Sequence, residues 1–330
     1  MAHASRRRVI QGMASLTLAG AGTLAAPRVH AQTPIKVTHA GLATGFSVIV
    51  NEYMTAKRFD LKHGVDIDLS RNYVSVMNYY SDFAAGTFDL AIGSWDTFAQ
   101  LYQRGAPIQL VCLSASADLM GIVTGPAGPD TMAGLKGKTM AALQNAGMYS
   151  ITKLLVKDAY GLEMEKDITI QNVPSPAQAV TMVMGKAADA ALSWEPNIAT
   201  GMAQQPGMKV LMNLGQTYKA RVGQELPYFA YATRREVTAK IPELGKRVSA
   251  AFQACTEAII ANPDEAFTIA APKMQVSKDI LLAAYKAGRL PMRATSASEG
   301  AGNAQVKAAF DYMQKRGAFD AKPLGADFFA

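Results

Sequence analysis

Short apolar runs alternate with longer amphipathic stretches from Ile35 onward, and the whole succession restarts after Gly125-Pro126-Ala127-Gly128-Pro129. In the first set, Ile35-Lys36-Val37-Thr38, Val65-Asp66-Ile67-Asp68-Leu69, Leu90-Ala91-Ile92 and Ile108–Leu113 read as strands. Helices are predicted over 46–59, over 76–85 and after Trp95. In the second set, Lys138-Thr139-Met140-Ala141, Ile168-Thr169-Ile170, Ala190-Ala191-Leu192 and Lys209-Val210-Leu211-Met212 are the strands, with helices over 148–160, over 176–185 and after Pro196. Such a succession predicts an α/β fold in which each mostly parallel sheet is flanked by helices. Beyond Pro227 comes one more strand, Tyr228-Phe229-Ala230-Tyr231-Ala232-Thr233, and then helices over 237–261, 263–272, 278–287 and 303–317. Asn262-Pro263-Asp264-Glu265 starts one of them, with proline in the first turn and acids that suit the helix dipole.

The two sets share a landmark. Gly86, Ser94, Trp95 and Asp96 have counterparts 99 residues on, at Gly185, Ser193, Trp194 and Glu195, while Asp89 and Asp189 are 100 apart. The match suggests two lobes built to one plan, with the two tryptophans (the only ones in the chain) at equivalent corners facing each other.

The N-terminus stands apart. Ser5-Arg6-Arg7-Arg8-Val9-Ile10-Gln11, the weakly apolar Met13–Gly20 stretch and Val29-His30-Ala31 compose a signal peptide, 1–31, of twin-arginine type, with an ordinary secretory signal as the alternative. Removing Arg6, Arg7, Arg8 and Arg28 takes Lys+Arg from 33 to 29 against 26 acids, so a net charge of +7 falls to +3. That balance argues for neither nucleic acid nor membrane partners, and no later apolar run is long enough to insert stably in a bilayer. Cys112 and Cys255 both lie in apolar patterns, so they read as buried thiols, with one disulfide allowed by export.

No hydrolase elbow, zinc-protease or phosphate-loop motif occurs, and no cofactor or metal is expected. Candidate ligand contacts therefore come from position. Ligands of open α/β sheets bind beyond the carboxyl ends of the strands. His39-Ala40-Gly41-Leu42-Ala43-Thr44-Gly45-Phe46 ends the first strand, and Leu143-Gln144-Asn145-Ala146-Gly147-Met148-Tyr149-Ser150 ends its counterpart. From these come His39, Gly41, Thr44, Phe46, Asn145, Gly147, Met148 and Tyr149 as candidates, although either turn could be a plain connection with Asn145 or Ser150 capping a helix. Trp95 and Trp194 offer flat apolar faces for a small ligand, and Tyr228 joins them at the start of the last strand. Asp96 and Glu195 are candidates with a competing role as helix-starting acids.

These segments resemble the type II periplasmic binding proteins of the nitrate, sulfonate, taurine and thiamine-pyrimidine family, the solute receptors of ABC importers. The resemblance runs from about Ile35 to Phe319 and is carried by Gly86-x-x-Asp89-Leu-Ala-Ile, Leu135-Lys136-Gly137-Lys138-Thr139, Gly185-x-x-x-Asp189-Ala-Ala-Leu-Ser-Trp-Glu-Pro196 and Asn262-Pro263-Asp264-Glu265-Ala266. It implies a lobe formed by 32–117 plus 226–330, a second lobe over 118–225, hinge crossings near 112–120 and 223–232, and a solute trapped between the lobes. An ABC permease and its ATPase would be the partners. The Asn145-Ala146-Gly147-Met148-Tyr149 turn departs from the small-residue turn of sulfonate receptors, and the cysteine-rich motif of the fungal pyrimidine synthases is missing. A sulfonate, an amine or a pyrimidine-like heteroaromatic are the candidate ligands, with the corner acids and the lack of a basic clamp leaning toward an amine-bearing or heteroaromatic molecule over a bare inorganic anion. Two other readings stay open: an exported bilobal enzyme using Asp96, Glu195 or His39 as acid–base groups, and a receptor for another transporter class or a sensor.

Overall fold

The computed structural model describes residues 33–330 apart from 43, 44, 74 and 321, so the predicted signal segment and Thr44 lie outside the described residues. The chain runs β1 (Ile35–Leu42), α1 (Ser47–Lys57), α2 (Phe59–Lys62), β2 (Val65–Tyr73), α3 (Val76–Ala84), β3 (Leu90–Ser94), α4 (Trp95–Gln103), β4 (Ile108–Leu113) and β5 (Met120–Thr124). It continues through β6 (Thr139–Ala142), α5 (Gly147–Tyr160), β7 (Thr169–Asn172), α6 (Pro176–Met184), β8 (Ala190–Trp194), α7 (Asn197–Gln204), β9 (Lys209–Asn213) and α8 (Leu214–Val222). The remainder is β10 (Phe229–Arg234), α9 (Arg235–Lys240), α10 (Leu244–Ala261), α11 (Pro263–Met274), α12 (Lys278–Lys286), β11 (Thr295–Ser296) and α13 (Gly300–Gln314).

Two mixed sheets form, in the orders β11-β4-β10-β3-β1-β2 and β7-β6-β8-β5-β9. Leaving aside the short β11, the two orders are the same when β1 is set against β6, β3 against β8 and β10 against β5. In each sheet the strand that arrives from the other half of the chain, β10 or β5, runs antiparallel to its neighbours, and β1–β3 and β6–β8 are parallel. The chain leaves the first sheet through 114–119 and returns through 223–228. These crossings are tied to each other, with the Tyr228 N–H donating to the Ala115 carbonyl and the Ala117 N–H to the Leu226 carbonyl, both at 2.9 Å.

The recurring aspartate is a strand clamp. The Asp89 carboxylate accepts from the Thr38 N–H at 3.0 Å and the Thr38 hydroxyl at 2.6 Å, joining β1 to the entry of β3. Asp189 does the same in the second sheet, accepting from the Thr139 N–H at 2.9 Å. Clamp residues are 100 apart, and so are the strands they start, Leu90–Ser94 and Ala190–Trp194. The positive-φ residues that follow α3 and α6 are likewise 100 apart, Gly86 at 86° and Lys186 at 60°. The sequence landmark of 99 is thus one residue out of structural register. Trp194 occupies the place of Ser94, and Glu195 that of Trp95.

Two expected elements change at a proline or a buried run. The 237–261 stretch divides into α9 and α10 around Ile241-Pro242-Glu243, where proline has no N–H to continue the helix. Strand β5, with every residue buried, carries no alternation for a pattern search to detect. The C-terminal helices reach both sheets' layers: α12 packs on α11 and on α7, while Tyr312 and Arg316, from α13 and the residues just after it, donate to Asp158 of α5 at 2.7 and 2.6 Å. No helix among the described residues is long and apolar enough to cross a membrane.

Candidate functional site

A cavity of about 220 Å³ lies between the two sheets, at the carboxyl ends of their parallel strands. The first-sheet side contributes Leu42, Gly45, Phe46, Ser47, Tyr73, Val76, Ile92 and Phe229, and the second-sheet side Leu143, Pro174, Ser175, Pro176 and Trp194. Phe229 is the hinge of its aromatic wall: Phe46 stacks on it at 6.0 Å with planes 11° apart, and Trp194 meets it edge-on at 6.2 Å and 67°. Both pairs fall in the range where ring quadrupoles add to simple burial.

Three helices begin at this cavity, α1 at Ser47, α3 at Val76 and α6 at Pro176, so their partial positive ends surround it. Its hydroxyls are partly committed. Ser175 caps α6 by accepting from the Gln178 N–H at 3.2 Å, and Tyr73 donates to Asp82 at 2.6 Å. Among the described residues, no Asp, Glu, His, Lys or Arg lines the cavity, and no group of three metal-ligating side chains is placed to hold an ion.

Of the residues singled out in sequence, Phe46 and Trp194 line the cavity. Trp95 does not. Trp194 is the last residue of a strand, whereas Trp95, one place further on, is the first residue of helix α4 and is completely buried in its own layer, 5.9 Å from the Phe319 ring. The two tryptophans therefore do not face each other across the cavity, and Trp194 instead lies beside Phe229, on which Phe46 stacks.

Glu195 is committed elsewhere as well. Its side chain is fully buried, with one oxygen accepting from the Ala199 N–H at 3.0 Å and the other from Arg289 Nε at 2.6 Å. The first bond caps α7, so the helix-starting role is the one this structure displays. Burial raises the Glu195 pKa, and the Arg289 guanidinium partly offsets that rise. Asp96 is also buried and does not line the cavity, and among the described residues neither carboxylate oxygen meets a partner at full hydrogen-bond geometry. Burial pushes its pKa up to about 6, against the weaker pull of the Ser94 hydroxyl and the first N–H groups of α4.

His39 sits beneath the cleft. Its Nδ1 donates to the Leu90 carbonyl at 2.9 Å, which leaves Nε2 as the acceptor facing Asn51 Nδ2 at 3.3 Å. Burial lowers its pKa to about 4, so it is a neutral β1–β3 tie and not a cleft base. Gly41 permits that packing, because a Cβ there would sit only 3.3 Å from Asn51 Nδ2. Tyr228 is buried and T-shaped against Phe229 at 4.8 Å, supporting the wall from behind.

In the second turn Asn145 is exposed, Met148 is fully buried, and the Tyr149 hydroxyl donates to Glu165 at 2.8 Å. Neither Asn145 nor Ser150 caps α5, whose N-cap Ala146 has no side-chain acceptor. Gly147 faces Asp96 of the other layer. Pattern reading missed Phe229, Tyr73 and the Pro174-Ser175-Pro176 corner. Their signal was present in the position of the last one, between a strand end and a helix start.

Comparison with known proteins fits this geometry. The sequence pattern described as NMT1/THI5 like matches residues 59–266, more than half of the chain. The chain belongs to this family. It is 25% identical over 228 residues to a Brucella abortus (strain 2308) protein provisionally named a binding protein, covering 69% of this chain and 68% of that one. The fold is that of two-lobed periplasmic binding proteins. The periplasmic aliphatic sulphonate binding protein SsuA of Escherichia coli superposes with a TM-score of 0.69 at 16% identity, over 86% of this chain and 93% of its own. SsuA of Xanthomonas axonopodis pv. citri, an alkanesulfonate-binding protein bound to MOPS, gives 0.66 at 16% identity over 85% and 94%. The periplasmic nitrate-binding protein NrtA of Synechocystis PCC 6803 gives 0.61 at 16% identity over 88% and 83%. Both free cysteines are buried, as their apolar surroundings imply.

Proposed function

We propose that this chain is the substrate-binding component of an ABC importer, exported by its N-terminal segment and working in the periplasm. Its cargo is a compact organic solute with a flat apolar body, held between Trp194, Phe46 and Phe229. The observation that carries this reading is the aromatic cavity between the two sheets, enclosed by residues of both. The relatives' names, all of them binding or transport components, support the same assignment. Binding without chemistry is the reading adopted, because among the described residues no carboxylate, imidazole, amine or guanidinium lines the cavity, and its one phenol, Tyr73, is bonded to Asp82.

The head group of the solute follows from the helix starts. Partial positive charge from α1, α3 and α6, with no carboxylate among the described lining residues, favours an anionic or electron-rich head such as a sulfonate, a carboxylate or a ring nitrogen over an ammonium. The corner acids that pointed toward an amine or heteroaromatic ligand, Asp96 and Glu195, are not among the residues lining the cavity. Domain closure would remove the solute from water, and binding energy would shift the open–closed equilibrium.

Native mass spectrometry of the freshly purified mature protein tests the assignment by identifying a co-purified molecule. A thermal-shift screen over sulfonates, aminopyrimidines, amino acids and aromatic carboxylates tests the head group. Stabilisation by aromatic or alkyl anions is expected. Stabilisation by amines alone would overturn the head-group assignment, and a flat response to every compound, with no co-purified molecule, would overturn solute binding.

A further inference from the structure

The two layers meet where the first turns of α4 and α5 come together. Asp96, the second residue of α4, is 2% exposed, and among the described residues neither of its oxygens meets a partner at full hydrogen-bond geometry. Directly opposite is Gly147, the first residue of α5 in the other layer. A Cβ at position 147 would overlap the Asp96 carboxylate, lying 2.8 Å from its Cγ. The fit of these surfaces therefore needs a residue without a side chain at 147.

The other titratable groups facing Asp96 among the described residues are the phenols of Tyr80, from α3, and Tyr228, from the returning crossing. Tyr228 is buried and Tyr80 half-buried, and desolvation raises both pKa values, so they stay neutral and supply no counter-charge. The first turn of α5 carries neither acid nor base. Its backbone dipole moderates the cost of a charged Asp96, but no cation pairs with it. An unpaired buried carboxylate relieves its desolvation by taking up a proton.

We propose that Asp96 and Gly147 form a proton-coupled closure contact, in which bringing the lobes together buries Asp96 and binds a proton to it. The inference rests on the reading of this chain as a hinged solute receptor. In the open form Asp96 is hydrated, with the ordinary carboxylate pKa of 3.8, and in the closed form burial raises it to about 6. The closed form holds more protons between those values, so closure strengthens as pH falls through 6 and levels off below 3.8. Linkage then gives a closed-to-open ratio about tenfold higher at pH 5 than at pH 8. Acidification retains solute, and neutral pH favours its release.

The test needs no ligand. Spin labels at Met77→Cys on α3 and Gln178→Cys on α6 span the mouth of the cleft, and the native thiols are buried. Inter-label distances are then measured between pH 8 and pH 5. The closed population should grow about tenfold in ratio as pH falls. Asp96→Asn should raise it at pH 8 and abolish its pH dependence, and Gly147→Ala should hold the lobes open throughout. Two distances with a ratio insensitive to pH, or an unchanged pH response in Asp96→Asn, would overturn proton coupling and leave the hinged receptor intact. A single distance in every variant at every pH would overturn both.

Discussion

A single residue of register separates the two tryptophans' fates. Trp194 ends β8 and lines the cleft, whereas Trp95 opens α4 and is packed on Phe319. Trp194→Ala is expected to weaken solute binding by about 1–3 kcal/mol, the range for losing an aromatic anchor, while Trp95→Ala should mainly lower stability. Titration calorimetry beside urea unfolding separates the two effects. At His39 the folded pKa of about 4 lies below the unfolded 6.5, so the unfolded chain binds more protons between them. Stability from this group is full above 6.5 and is lost as pH falls toward 4, by about 3 kcal/mol in total. Asp96 acts in the opposite sense, since its folded value is raised above 3.8. The two partly cancel in the wild type. Asp96→Asn should expose the His39 dependence, and a further His39→Asn change should remove it; urea midpoints at pH 7 and 4.5 give the comparison. Arg289→Met leaves the fully buried Glu195 carboxylate unpaired and should destabilise the fold by about 3–5 kcal/mol, read from the same unfolding curves.

At the scale of elements, local chemistry explains the starts and stops that sequence pattern located well. Asn262 accepts from the Glu265 N–H at 3.4 Å, and Pro263 occupies the first helical position of α11. Asn262→Ala should cost about 1 kcal/mol, the usual value for a lost cap, measured by thermal unfolding. The Gly-x-x-Asp and Gly-x-x-x-Asp motifs were readable as landmarks, but their work in clamping β1 to β3 and β6 to β8 requires knowing which strands are neighbours. Strand β5 and helix α8 escaped detection for different reasons. The first is buried on both faces and so lacks period-two contrast. The second begins directly from β9, with Asn213 acting as its cap through the Gln216 N–H at 3.0 Å.

For the whole molecule, the shared strand order of the two sheets places two sets of strand ends against each other. The cavity sits where they meet, and the crossings at 114–119 and 223–228 are hydrogen-bonded to one another behind it. The helices α12 and α13 add further ties to the second layer. A solute that binds the closed form should therefore slow amide exchange in the crossings and around Trp194 together. At a hundred times its dissociation constant it should add about 2.7 kcal/mol to stability, visible as a higher melting temperature. Protection confined to one layer would argue against binding between the lobes.

Sequence alone determined the strand–helix alternation, its duplication and the principal helix starts, because periodicity and capping are properties of neighbours in the chain. The Gly-rich turns and tryptophans at the strand ends were visible too. Only the tertiary structure decided which of them face the cleft. A shift of one residue between 99 and 100 puts Trp194 at a strand end and Trp95 at a helix start, and in sequence only the spacing of Asp89 and Asp189 records it. Nor could sequence reveal that Glu195 meets Arg289 or that Asp96 meets Gly147, since those partners lie 94 and 51 residues apart and are brought together only by the packing of one layer on the other.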